Sequence, residues 1–417
     1  MRMLMKQVIF EEVVKKVISE WDDKIRKNRD NYNPSELTLS TGLSGIVLML
    51  TELDYEGSST NYRQKIDEYI EYMVDKLSVY GLITGSLYSG ASGIALSVLQ
   101  FYQENDKYKN LIGSLNKYID HFVRNRIKNF NTTTISPPDY DLIEGMSGIL
   151  AYLLLIEDND YIELKMLIVD FLSNLIIKDE MLSSFYIKSE NLMSDAERKM
   201  YSLGCLNMGL AHGLAGVGSV LAYAYSKGYK TQSSLLALKN IISLYEKFEI
   251  KKDKQLIWKD GIIIDELRDK KILYEPNFIR DAWCYGSPGI SLLYLYTGLA
   301  LNDEYLILKS KNILEKSVKR KLGLDSYMLC HGYSGIIEIC LLFKRLLGTK
   351  IFDFYIKEFQ NNAKTILEQY DDRYGSGFLE GISGCLMTLL DSECSKNSTY
   401  WRYSLFLFDD FLTGGNS

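Results

Sequence analysis

Two cysteines and a histidine occupy one register of two short glycine-bearing stretches in this 417-residue chain. The first stretch reads Asp281-Ala282-Trp283-Cys284-Tyr285-Gly286-Ser287-Pro288-Gly289-Ile290, and the second Cys330-His331-Gly332-Tyr333-Ser334-Gly335-Ile336. In each, a cysteine lies two residues before the first glycine of a Gly-x-x-Gly-Ile core. In the second, His331 fills the place between. Two thiolates and an imidazole suit zinc and leave one tetrahedral position open, which marks a catalytic rather than a structural ion. Taken singly, each residue reads as packing, because free cysteine is commonly core. Together, Cys284, Cys330 and His331 predict one zinc ion per chain.

The ligand set limits the chemistry. A thiol entering the open position would be deprotonated by the metal, and a thiolate-rich set would leave that sulfur nucleophilic. Such a site suits alkylation of a substrate thiol. Water in that position would give a hydrolase, for which two histidines and a carboxylate are the commoner set. His212 shares the register of His331, one residue before a glycine, which favours a role over the ordinary buried histidine. Asp141 ends Pro137-Pro138-Asp139-Tyr140-Asp141, four residues before Gly145. Negative charge near a helix start is favoured in any case, and that explanation also covers Glu144 and Glu380, which receive no role. Arg280 and Tyr285 flank Cys284, with an ion pair and simple packing as the plain alternatives. His121 falls in an outer-helix pattern. Cys205, Cys340, Cys385 and Cys394 match no register and read as core or incidental.

The elements that must position these residues repeat. Gly-x-x-Gly begins at Gly42, Gly90, Gly145, Gly213, Gly286, Gly332 and Gly381, at spacings of 48, 55, 68, 73, 46 and 49. One such motif means little; seven in like contexts are an internal repeat. Each is followed by a nearly uncharged helical run, such as Ile149 to Leu155, and preceded by a loop and an amphipathic helix. Phe10, Val14, Val17, Trp21 and Ile25 show the amphipathic period, as do Leu111, Leu115, Ile119, Phe122 and Ile127. Apolar helices must sit inside and amphipathic ones outside, so the expected fold is all-α: a closed (α/α) toroid of seven helix pairs. Ser44, Ser92, Ser147, Ser334 and Ser383 are expected to cap the inner helices, and Pro288 fits a first turn. The residues before each first glycine then gather on one rim: Thr41, Ser89, Glu144, His212, Tyr285, His331 and Glu380.

The two long spacings imply insertions at about 179–205 and 250–280 within a single domain spanning 1–417. Leu256 to Ile264 reads as a hairpin with an Asp260-Gly261 turn, and Phe185-Tyr186-Ile187 as a weaker strand. The insertions come from adjacent repeats and are expected to pack together as a small β-containing appendage.

A net charge of −6 gives no support to nucleic-acid binding. Met1 to Lys16 lacks the apolar core of a secretory signal. Six cysteines in a chain of this length suggest a reduced, cytoplasmic protein rather than a disulfide framework. Ser202–Ser226 and Ala282–Asn302 carry no charge, but their glycines and polar residues suit buried helices better than membrane spans.

With Trp283-Cys284-Tyr285-Gly286, Cys330-His331-Gly332 and Ala211-His212-Gly213-Leu214-Ala215-Gly216, the chain resembles the lanthionine synthetase C family over essentially its whole length. Glu36 to Gly42 and Trp401-Arg402 resemble lantibiotic cyclases of that family in particular. The resemblance implies a zinc enzyme with an SH2-like extension to the toroid. It would add precursor-peptide cysteines to dehydroalanine and dehydrobutyrine, forming lanthionine and methyllanthionine rings. It implies zinc on Cys284, Cys330 and His331, with the substrate cysteine as fourth ligand. His212 and Asp141 would be acid–base groups, and Arg280 and Tyr285 supporting ones. The expected partners are a dehydrated precursor peptide with its leader, a dehydratase and an ABC transporter, with peripheral membrane association through them; the chain itself is expected to be a monomer. Two alternatives stay open. One is another zinc-dependent thiol alkyltransferase on an α/α ring, as in prenyltransferase β-subunits, which use six units and an Asp-Cys-His set. The other is a non-catalytic thiol- or peptide-binding scaffold, for which His212 and Asp141 would be dispensable.

Overall fold

A computed structural model describes residues 2–28, 33–55, 60–104, 106–156, 159–177, 183–252, 255–276, 279–320, 323–324, 326–368, 375–393 and 400–411. Cys394 and parts of the expected insertions (179–182, 253–254 and 277–278) lie outside the described residues. Helix pairs follow one another along the chain. They are α1 (Arg2–Lys27) with α2 (Leu43–Tyr55), α3 (Arg63–Tyr80) with α4 (Ala91–Glu104), and α5 (Lys109–Lys128) with α6 (Met146–Leu153). Next come α7 (Ile162–Ile177) with α8 (Leu214–Ser226), and α9 (Gln232–Lys247) with α10 (Ser287–Leu301). The last are α11 (Glu304–Arg320) with α12 (Tyr333–Leu347), and α13 (Asp353–Glu368) with α14 (Ile382–Glu393).

Burial separates the two kinds as the pattern requires. In α2 every residue from Leu43 to Leu53 is buried. In α5 only Ile112, Leu115, Asn116, Ile119 and Val123 are, the single stripe of an amphipathic helix. Each even-numbered helix packs on the next, and α14 packs back on α2, so the inner ring closes. Trp21 of α1 reinforces the seam by donating through Nε1 to Ser376 Oγ at 3.0 Å.

A belt of backbone hydrogen bonds runs round one rim. Leu39 donates to the Tyr88 carbonyl (2.8 Å), Tyr88 to Ile143 (3.1 Å), Leu142 to Ala211 (3.1 Å) and Leu210 to Cys284 (2.9 Å). The belt continues from Cys284 to Cys330 (3.2 Å), Cys330 to Leu379 (3.1 Å) and Leu379 to Ser40 (3.0 Å). Every accepting carbonyl lies two residues before the first glycine of its repeat. The second glycine permits this approach. A Cβ on Gly148 would stand 2.0 Å from the Leu142 carbonyl oxygen and 2.8 Å from Cβ of Leu87 in the preceding repeat.

The motif serines do not cap the inner helices as expected. Ser44, Ser92, Ser147 and Ser383 donate to the carbonyls of Leu37, Gly85, Tyr140 and Ser376 at 2.5–2.7 Å, and Ser334 donates likewise to Tyr327. Each bond ties the helix start back to the loop seven residues upstream, so the hydroxyl serves a loop acceptor rather than a helix donor. Pro288 does lie in the first turn of α10.

The C-terminal segment fills the middle of the ring. Leu405 to Phe408 are fully buried. Tyr88 Oη donates to the Ser404 carbonyl (3.0 Å), Trp283 Nε1 to Leu405 (2.8 Å) and Tyr296 Oη to Phe406 (2.7 Å). Arg402, 3% exposed, reaches Asp391 of α14 at 2.8 Å.

Strands β1 (Tyr186–Ile187), β2 (Cys205–Asn207), β3 (Ile250–Lys252), β4 (Gln255–Ile257) and β5 (Gly261–Ile262) form two small antiparallel sheets, β1-β2-β5 and β3-β4. The β1-β2-β5 sheet joins residues of the two inserted regions. The hairpin expected around Asp260-Gly261 does not form. Ile257 pairs backwards with Ile250, while Gly261 pairs with Asn207. Between them Trp258 is buried, its Nε1 donating to the Tyr245 carbonyl at 2.7 Å. Burying that indole against α9 outweighs the local turn preference. Cys205, Cys340 and Cys385 are buried, in keeping with the core reading. No described helix is long and apolar enough to cross a membrane.

Gly148→Ala should destabilise the protein by about 3 kcal/mol through overpacking at the repeat junction. Gly113→Ala, where a Cβ on exposed α5 meets nothing within 4 Å, should stabilise it by about 0.5–1 kcal/mol. Urea midpoints of the two variants test the contrast.

Candidate active site and metal centre

The belt delivers Cys284 and Cys330 from adjacent repeats, joined through their own backbones. The loop before Cys284 is held rigidly. Arg320 of α11 donates through Nε to Asp281 at 2.9 Å and through Nη2 to Ser287 Oγ at 3.0 Å. Ser287 in turn donates to the Leu256 carbonyl at 2.9 Å, tying the loop to β4. Gly286 has φ +98°, and a Cβ there would sit 1.7 Å from the Arg280 carbonyl oxygen. Only glycine fits so tight a turn in that region of backbone space.

The Cys330 thiol hydrogen-bonds Cys284. That bond holds the Cys284 thiol below its ordinary range, assisted by the charges of Arg280 and His212, although burial opposes it. The ligand atoms of Cys330, His331 and Glu380 lie within 4.8 Å of one another, and Cys284 lies next to Cys330, outside that trio. Zinc bonds of about 2.0–2.3 Å place neighbouring ligand atoms roughly 3–4 Å apart, so small side-chain shifts would bring these donors onto one ion. Two adjacent thiols with an imidazole beside them are a soft donor set that fits zinc.

His212 and Asp141 form the second half. His212 Nδ1 lies 2.6 Å from Asp141 Oδ2. Asp141 is fully buried, and its Oδ1 accepts the backbone N–H groups of Glu144 (2.7 Å) and Gly145 (2.8 Å). Three donors satisfy an otherwise costly buried charge. Burial pulls the His212 pKa down, but the hydrogen bond to Asp141 and its charge outweigh this and leave it raised above 6.5. Bonding through Nδ1 leaves Nε2 as the nitrogen available to a substrate.

Tyr285 lies beside His212, with ring centroids 6.5 Å apart. Its hydroxyl accepts from Asn207 Nδ2 of β2 at 2.7 Å, so its own proton remains available to donate. Burial raises its pKa well above the usual phenol value. Arg280 is half-buried four residues before Cys284, close enough to bias that thiol. Glu144 accepts from Ser86 Oγ at 2.7 Å and from Ser89 Oγ, and burial raises its pKa. His121 is exposed and paired with Asn125, apart from the site.

The structure thus brings Cys330 and His331 together with Glu380, sets Cys284 beside Cys330, and places His212 with Asp141 and Tyr285. Sequence reasoning missed Asn207, Asp281, Arg320 and Glu380. Of these only Glu380 carried a signal, since it shares the register of both histidines.

Known proteins resemble this chain in sequence and in fold. The family model for lanthionine synthetase C-like protein matches residues 33–406. The chain is 60% identical over 415 residues to nisin biosynthesis protein NisC of Lactococcus lactis subsp. lactis, covering 100% of this chain and 99% of that one. It is 21% identical over 360 residues to lacticin 481/lactococcin biosynthesis protein LcnDR2 of the same organism, covering 76% of this chain and 37% of that protein. Among solved structures it matches nisin cyclase with a TM-score of 0.93 at 60% identity, covering 97% of this chain and 99% of the other.

Asp141→Asn should leave the site folded but present an amide N–H to His212 Nδ1, forcing the opposite tautomer. Turnover should fall by about 10²–10⁴-fold. With the charge gone, His212 should also lose its proton at lower pH, moving any His-linked alkaline limb of a pH–rate profile downward. Steady-state rates across pH, with metal content measured in parallel, check both effects.

Proposed function

The chain belongs to the lanthionine synthetase C-like family, and on that premise we propose how its rim residues divide the work of the reaction. It is a lantibiotic cyclase that closes thioether rings in a precursor peptide. A cysteine sulfur bonds to Cβ of a dehydroalanine or dehydrobutyrine, the Cα–Cβ double bond is consumed, and Cα takes up a proton. The thiol gives up one proton and Cα gains one, so peptide mass is unchanged.

Cys284, Cys330 and His331 would hold one zinc ion, which when bound lowers the pKa of a substrate thiol and keeps its sulfur nucleophilic. The belt fixes the two cysteines, and Arg280 stabilises negative charge next to Cys284. His212, its pKa raised by the hydrogen bond to Asp141 and that group's charge, donates the proton that Cα needs, from Nε2. Tyr285, with its hydroxyl oxygen occupied by Asn207, donates a hydrogen bond to the enolate oxygen that forms before that proton arrives. One observation carries this reading: a thiol pair with an imidazole stands beside a buried carboxylate–histidine pair in adjoining repeats of one rim.

Residues 1–417 serve as one catalytic unit, and the insertions at about 179–205 and 250–280 form an appendage that supports Tyr285 and the Cys284 loop. The substrate is a dehydrated precursor of the nisin type, presented with its leader. The resemblance supports work in an assembly with a dehydratase and an ABC transporter, at the cytoplasmic face of the membrane.

Alkylatable thiols on a dehydrated precursor peptide, counted by mass spectrometry, should disappear only with the metal-loaded protein. Chelation or Cys330→Ala should restore them, and His212→Ala with zinc retained should slow their loss by about 10²–10⁴-fold. Thiols persisting with a verified zinc-loaded protein and a cognate-type peptide would overturn the assignment.

A further inference from the structure

We infer that Glu380 would reach the open position of a metal held at this site and compete there with the substrate thiol, so that it resets the site after each ring closes. The inference rests on the zinc reading above. A carboxylate oxygen of Glu380, a sulfur and an imidazole nitrogen lie within 4.8 Å of one another, near enough to share one ion. Placement of Glu380 is not accidental. The preceding residue, Leu379, accepts the N–H of Cys330 at 3.1 Å and donates to the Ser40 carbonyl at 3.0 Å. These two bonds pin the backbone one repeat beyond the ligand pair.

Two rim acids show the distinction. Glu144 and Glu380 occupy the same register, one residue before an inner-helix glycine. Glu144 is half-buried and clasped by Ser86 and Ser89. Glu380 is exposed, and among the described residues no hydroxyl clasps it in that way. Negative charge near a helix start accounts for either acid in general, but not for one of them converging with a thiol and an imidazole.

The chemistry gives the convergence a use. An incoming thiol releases its proton to solvent, and its anionic sulfur must displace or crowd the Glu380 carboxylate. Once the sulfur has bonded to carbon it is a neutral thioether and a weak donor. With a metal bound, the carboxylate would then regain the position and the ring would leave. A peptide that needs several rings closed in turn requires such release.

The test uses the full chain loaded with Co²⁺ in place of zinc, titrated with 2-mercaptoethanol and followed by thiolate-to-cobalt absorption. Glu380→Gln should bind the thiol about tenfold more tightly than wild type, the scale expected for removing one nearby, partly solvated charge. Glu380→Asp, which keeps the charge, should stay within about threefold of wild type. The Gln variant should also hold metal less tightly against a chelator, by about tenfold. Unchanged or weaker thiol binding in Glu380→Gln, with cobalt–thiolate bands equal to wild type, overturns the role of Glu380 alone. Absence of cobalt–thiolate bands in the wild-type protein would instead overturn the metal reading on which it rests.

Discussion

The hydrogen-bonded belt is the constraint on which the rest of the molecule depends. Each repeat gives up one backbone carbonyl, two residues before its first glycine, to the repeat before it. Because the ring closes, no junction has a free edge, and each backbone group finds its partner in a neighbour rather than in water. Closure also fixes the spacing of side chains that leave the belt at that register. Cys284 and Cys330 are two of those residues, so their separation is set by a main-chain bond, not by a flexible loop. A site built on backbone in this way would lose little entropy on taking up the proposed metal and thiol.

In the proposed function, the site splits between two tasks that need opposite electrostatics. The thiol pair needs to lose protons, and the charges of Arg280 and His212 help Cys284 to do so. The histidine needs to keep a proton, and the buried Asp141 helps it to do so. Placing them in adjoining repeats lets each act on the same substrate without quenching the other. Asp141 is itself held by backbone N–H groups just before α6, so the repeat architecture positions Asp141 as well as the two cysteines.

Packing behind the rim is as specific as the rim. The carbonyls of Ser404, Leu405 and Phe406 accept in turn from Tyr88, Trp283 and Tyr296. Trp283 directly precedes Cys284, and Tyr88 is a belt residue, so the buried C-terminal segment supports the Cys284 side of the ring from within. On the outside, Arg320, Asp281 and Ser287 bind the same loop to α11 and β4. The Cys284 loop is thus fixed from three directions, which suits a site that must hold its geometry while different peptide segments enter.

Much of this was determined by the sequence alone. The seven glycine pairs, the alternation of apolar and amphipathic helices, and the shared register of Cys284, Cys330, His331 and His212 are local or periodic features. They survive as patterns because each repeat must solve the same packing problem. The tertiary structure decided what depends on residues far apart in the chain. The Asp260-Gly261 turn was overruled because burying Trp258 against α9 and pairing Gly261 with Asn207 are long-range events. The motif serines looked like helix caps because a cap is a local device, but their acceptors lie in the loop behind. Asn207, Arg320 and Asp281 carry no motif, and act only because folding sets them against Tyr285 and the Cys284 loop. Glu380 looked like an ordinary helix-start acid until ring closure brought its repeat beside Cys330 and His331, since proximity across a repeat junction is a property of the closed ring and not of any segment within it.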